Sequence, residues 1–243
     1  MAKNIICMKW GDKFGADYVN RLYSMVSRNI TGDFRFVCLT DKSDGLRPEV
    51  ETRPLPEMDL PAGAERGWRK LSTFKPDFCD IDGKVLFLDL DVVIVGSLDC
   101  FFEPEGEFFV IREWKKSRAH GLGNSSVYRF EAGTLSFVYE HFMSHIDEVK
   151  RDYRHEQSYL CDTLRKRGML KFWPEGWCVS FKRCCMRPFP LNFFQAPRIP
   201  DGARVVVFHG RPNPDEALEG KMRGIKKILR YARPARWIGK YWK

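Results

Sequence analysis

Residues 85–95 read Val-Leu-Phe-Leu-Asp-Leu-Asp-Val-Val-Ile-Val, nine apolar side chains interrupted by Asp89 and Asp91. Such an apolar run belongs in a core, but an ionised carboxylate buried without a partner is very costly. The pair therefore demands a cation, a proton or a specific donor where a buried strand ends. Two carboxylates in an i, i+2 relation at a strand end can address one crevice. Carboxylates suit Mg²⁺ or Mn²⁺, which keep positions open for the phosphate oxygens of a substrate.

The rest of the chain gives this pair a setting. Asn4–Met8, Phe34–Leu39, Val50–Arg53, Lys84–Leu88, Glu107–Ile111, Ser126–Phe130 and Arg204–Phe208 read as strands. Ala16–Ser27, Glu65–Phe74, Leu135–Val149 and Gln157–Arg167 have helical spacing. This alternation predicts an α/β domain with a mostly parallel central sheet flanked by helices. In such sheets ligands bind beyond the C-terminal ends of the strands. Polar groups stand at those ends: Trp10-Gly11-Asp12, Thr40-Asp41, Asp89-Leu90-Asp91 and His209-Gly210-Arg211. An imidazole at His209, added to the carboxylates, tilts the choice toward Mn²⁺. Arg211 and the Gly210 backbone are candidates to hold a diphosphate, by charge and by close approach.

Length and charge bound the remainder. The 243 residues suffice for one sizeable domain. No apolar run approaches the ~20 residues of a membrane-spanning helix, and the first residues carry no signal segment. The eight cysteines include no Cys-x-x-Cys pair, which fits a reduced, cytoplasmic setting. The net charge of +9 lies wholly in residues 221–243, which hold nine Lys/Arg and no acid. The reading is thus a neutral domain over 1–220 and a basic, aromatic tail over 221–243. Met222, Ile225, Ile228, Leu229 and Tyr231, with Trp237, Ile238, Tyr241 and Trp242, interleave with the charge as in a segment lying on an anionic membrane. A solvated basic helix packed on the domain is the plainer alternative. No nucleic-acid-binding motif accompanies the charge.

Lys84–Phe102 closely resembles the corresponding segment of glycosyltransferase family 8 and its small bacterial relatives, which share the nucleotide-sugar (GT-A) fold. Met8-Lys9-Trp10-Gly11-Asp12-Lys13-Phe14 is similar to their first strand and loop, and His209-Gly210-Arg211-Pro212 to their closing segment. The resemblance implies a GT-A fold, a nucleotide-diphospho-sugar donor such as a UDP-sugar, and Mn²⁺ (or Mg²⁺) held by Asp89, Asp91 and His209. It places Trp10, Gly11 and Asp41 near the nucleoside and Lys70 near the donor. Asn124 and Gln157 fall near the donor sugar, Gln157 standing with Asp89 and Asp91 as an expected catalytic residue, with Ser126 where the family has glycine and Glu156 where it has aspartate. It further implies hexose transfer with retention to a saccharide or glycolipid acceptor, and a position on the inner face of a membrane. Two rivals stand beside it. A haloacid-dehalogenase-like phosphatase would use Asp89 as nucleophile, although that motif normally opens its chain. A catalytically inactive basic-tailed binding protein would use none of these groups.

Overall fold

The first strand, β1 (Lys3–Lys9), is apolar on both faces, and this fixes it in the middle of a sheet with a layer on either side. Ile5 and Cys7 point into one core, Ile6 and Met8 into the other. The computed structural model describes residues 3–61, 67–76, 78–114, 122–221 and 232–243. After β1 come α1 (Ala16–Asn29), β2 (Phe34–Thr40), β3 (Glu51–Pro54), a 3-10 turn over Trp68–Phe74, β4 (Lys84–Leu88) and β5 (Val92–Ile94). They are followed by β6 (Phe108–Arg112), β7 (Gly123–Glu131), α2 (Ser136–Ser144), α3 (Ile146–Asp152), α4 (Glu156–Lys166), β8 (Leu170–Phe172) and β9 (Cys178–Ser180). Last are β10 (Val205–Val207), α5 (Pro214–Glu219) and α6 (Trp237–Tyr241).

Seven strands form one sheet in the order β3-β2-β1-β4-β7-β6-β8. Only β7 runs against the rest, pairing antiparallel with β4 and β6. The mostly parallel α/β sheet expected from the sequence is therefore present. A second sheet, β5-β10-β9, packs over one face with α1. The other face is covered by the Trp68–Phe74 turn, α2 and α4, with Trp68 stacked on Phe142 at 5.1 Å between ring centroids. The acidic pair sits where the chain leaves the large sheet at Leu88 and joins the small one at Val92.

Two expected helices take other forms. The stretch 135–149 breaks at His145, whose backbone (φ −137°, ψ 36°) is not helical, giving α2 and α3. Of 65–74, the described part is the 3-10 turn, entered through Gly67 in the left-handed region (φ +81°).

The C-terminus also departs from expectation. Residues 222–231, with Met222, Ile225, Ile228, Leu229 and Tyr231, lie outside the described residues. Residues 232–243 do not stand apart from the domain: Ala235, Ile238 and Trp242 are buried in the core that holds α1 and the small sheet. The Trp242 ring meets Tyr18 edge-on at 5.1 Å, and the Arg21 guanidinium lies 4.0 Å over it. Trp237 donates through Nε1 to the Pro197 carbonyl at 3.1 Å. Trp242 is thus a core residue and not an interfacial one, because it packs on the apolar face of α1 that β5 also covers. No helix among the described residues is long and apolar enough to cross a membrane.

Candidate functional site

Leaving β4, the backbone is pinned on both sides of the acidic pair. Asp89 N–H donates to the Ser126 carbonyl on β7 at 2.9 Å, and the Asp91 carbonyl accepts from Phe208 N–H beyond β10 at 3.2 Å. Leu90 is buried between them. The turn is held as firmly as the strands, so the carboxylates keep their places without a ligand.

The pair differs sharply in partners. Asp89 accepts from Lys70 Nζ at 2.7 Å. Lys70 is itself buried, 4.0 Å from the Glu156 carboxylate, and donates to the Ser125 carbonyl at 3.1 Å. Burial disfavours its charge, but Asp89 and Glu156 override this and raise its pKa above the ordinary lysine value. Asp91 is 8% exposed, and its pKa is raised to about 7, first by burial and then by the Asp89 charge. A carboxyl that burial and a neighbouring carboxylate hold protonated near neutrality is one that a divalent cation would ionise. The two carboxylates fit such an ion.

His209 does not complete a triad with them. Among the described residues, no three His, Cys, Asp or Glu side chains gather into a group that could hold a metal. The His209 ring stacks on Trp114 at 5.5 Å, and its Nε2 shares a 2.7 Å hydrogen bond with the Ser180 hydroxyl. Burial, followed by the charges of Lys182 and Arg183, lowers its pKa to about 4, so the ring is neutral at physiological pH.

A cleft of about 350 Å³ opens over the pair, lined by Met8, Lys9, Trp10, Lys13, Phe14, Gly67, Lys70, Asp89, Leu90 and Asp91. It gathers Trp10, Lys70, Asp89 and Asp91 from the expected set. Gly11 and Asp41 adjoin it, joined by a 2.9 Å bond from Gly11 N–H to Asp41 Oδ2. Asn124 and Gln157 turn to the start of β7: Asn124 Oδ1 accepts from Ser126 N–H at 3.1 Å, and Gln157 Oε1 from Ser125 N–H at 3.4 Å. They brace the strand that positions Lys70.

Gly210, in the left-handed region (φ +68°), lets the chain turn beyond His209. Arg211, expected to meet a diphosphate, is ion-paired with Glu216. Glu216 also accepts from Asn213 N–H at 3.1 Å in the capping box of α5. The helix start needs a carboxylate there, and Arg211 is the cation that accompanies it.

Sequence reasoning left out Lys9 and Lys13 as site residues. Lys13 lowers the pKa of Asp91 by its charge. Lys9 is buried, its ammonium fixed by the Lys42 carbonyl at 3.1 Å. The signal was available: two lysines bracket Trp10-Gly11-Asp12 at the end of a wholly buried strand.

No protein-family model matches the sequence, and no curated protein matches it. Solved structures do. The fold is that of known glycosyltransferases. The galactosyltransferase LgtC, in complex with donor and acceptor sugar analogs, superposes with a TM-score of 0.59 at 14% identity, over 87% of this chain and 88% of that one. An active-site mutant of LgtC gives 0.59 at 15%, over 87% and 89%. The apo form of the glycosyltransferase GlyE of Streptococcus pneumoniae TIGR4 gives 0.56 at 12%, over 88% of this chain and 56% of GlyE. The glycosyltransferase fold expected from the sequence is therefore the one observed, and the resemblance to family 8 holds at the level of architecture.

Proposed function

We propose that this chain is a glycosyltransferase that moves a hexose from a nucleotide-diphospho-sugar, a UDP-sugar in this reading, to an acceptor hydroxyl. One observation carries it: Asp89 and Asp91 share a cleft with Lys70, Lys9 and Lys13 beyond the C-terminal ends of parallel strands. Diphosphate recognition needs anions to hold a cation and fixed positive charge to meet the phosphates, and the cleft has both.

Asp89 and Asp91 would hold the divalent cation, Mn²⁺ or Mg²⁺. When bound, it supplies electrostatic stabilisation of the departing nucleoside diphosphate. Lys70, fixed by Asp89 and Glu156, is pre-oriented, so its charge acts without reorganisation. Trp10, Met8 and Phe14 offer apolar walls for the nucleoside and exclude water. Asn124 and Gln157 hold the start of β7 beneath the sugar position. Retention of configuration and a saccharide or glycolipid acceptor follow from the family resemblance and belong to the same proposal. The cationic residues 221–243 would keep the protein near an anionic surface and the acceptor within reach. The phosphatase alternative loses support from the fold.

The test is a panel of nucleotide sugars screened for thermal stabilisation with and without Mn²⁺, since a ligand of the native state raises apparent stability. One UDP-sugar should shift the midpoint only with the ion and should be hydrolysed or transferred. Asp91→Asn should lower that turnover by about a hundredfold or more. Full turnover in Asp91→Asn, or in excess chelator, would overturn the metal-assisted reading.

A further inference from the structure

Four large apolar residues are well exposed among the described residues, and three fall within six positions: Phe189 (62%), Leu191 (44%) and Phe194 (73%). Exposed apolar surface concentrated in one place marks an interaction site. These side chains are not on a frayed loop. Phe193 N–H donates to the Pro190 carbonyl at 3.1 Å and Phe194 N–H to the Leu191 carbonyl at 3.0 Å, closing a 3-10 turn over Leu191–Phe193, and Gln195 N–H adds a 2.8 Å bond to the Leu191 carbonyl. Beyond the turn, the Pro197 carbonyl takes the Trp237 N–H, and the Phe194 carbonyl takes Arg233 Nη1 at 3.4 Å. The backbone is tied to the body of the protein while the rings project from it.

The surroundings are cationic. Between Glu175 and Asp201, 25 residues hold four Lys/Arg and no acid. Lys221 and residues 232–243, the described part of the C-terminal segment, add five more and no acid. Of these, Arg233, Arg236, Lys240 and Lys243 are exposed on the described surface. A groove of about 530 Å³ runs beside Phe194, lined by Ala196, Arg233, Pro234, Arg236 and Trp237. Two guanidinium groups over an apolar floor suit a phosphate joined to hydrocarbon.

We propose that the Phe189–Phe194 turn and its flanking arginines dock this protein on an anionic phospholipid bilayer, the rings entering the interface and Arg233 and Arg236 meeting lipid phosphates. Protruding apolar points in a basic field match a lipid surface, which needs no complementary pocket. A second copy of this chain is a poorer occupant, because a two-fold contact would set the same arginines against themselves. The proposal reassigns membrane insertion. Ile238 and Trp242 are spent on the core, so the apolar contribution comes from a turn some 45 residues earlier in the sequence, with the C-terminal cations supplying the attraction. It does not depend on the donor or metal reading.

The experiment is co-sedimentation of the full chain with phosphatidylcholine vesicles, with and without phosphatidylglycerol, alongside thermal midpoints and analytical ultracentrifugation. The parent should bind only the anionic vesicles. Phe189→Ser with Phe194→Ser, and separately Arg233→Glu with Arg236→Glu, should each weaken that binding about tenfold without lowering the midpoint. Phe194→Trp should retain it. Undiminished binding in the serine variant overturns the proposal. So does equal binding to phosphatidylcholine alone. A parent dimer that the serine variant abolishes would assign the face to a second copy instead. A lowered midpoint with unchanged vesicle binding would assign it to another segment of this chain.

Discussion

Lys70 carries an ammonium to a position where 9% of the residue meets solvent, and Asp89, Glu156 and Asp91 all raise its pKa. A buried ion pair is weak evidence for stability, but removing one partner strands the others. Lys70→Met should therefore cost roughly 3 kcal/mol at neutral pH, measured by urea unfolding, with part recovered on acidification as the stranded carboxylates take up protons. Asp99 offers a separate acid-range test. Burial pushes its pKa up, but the Lys3 ammonium, Thr31 N–H and Ser97 hydroxyl override this and hold it at about 2. The unfolded chain protonates Asp99 near pH 4 and the folded chain near 2. Its contribution is thus full above about pH 4 and lost as pH falls toward 2. Asp99→Asn should remove a component on the order of 1 kcal/mol, discounted for solvent screening, and flatten acid unfolding across that interval relative to the parent.

At the level of elements, α5 has six residues and relies on its start: Asn213 and Glu216 form the capping box, Pro214 opens the first turn, and Arg211 pairs with Glu216. Glu216→Ala should lower stability by about 1–2 kcal/mol in thermal or urea unfolding. If Arg211 has no role with the donor, donor affinity should be unchanged. This element was invisible beforehand because Pro212-Asn213-Pro214 reads as loop. The long strands were legible because continuous apolar runs leave few alternatives: β1, β2, β4 and the core of β7 lie where expected. Strands β5, β8 and β9, with three residues each, are too short for periodicity and exist through their neighbours. His145 breaks a helix whose apolar spacing continues past it. In the site, Asp89, Asp91, Lys70 and Trp10 were legible from their place at strand ends and from resemblance. The Ser180 partner of His209 and the Glu216 partner of Arg211 were not, since both are contacts between distant segments.

At the scale of the molecule, the two sheets share one core, and the last residues of the chain close it. Trp242, 4% exposed against Tyr18 and Arg21, should cost roughly 3 kcal/mol when changed to Ala, read as a lower urea midpoint with an unchanged far-ultraviolet spectrum before the transition. Ile238 and Trp242 add to the cover that β5 gives α1, an element more than 200 residues earlier, so part of that cover joins late when a chain folds from its N-terminus. A chain that stops before Trp237 has every described strand of both sheets but exposes the apolar surface around Tyr18 that Trp242 covers. Truncation before Trp237 should therefore raise aggregation and protease sensitivity, read as a lower soluble yield of the shortened chain than of the parent. Trp237–Trp242 thus acts as a clasp on an element laid down far earlier in the sequence.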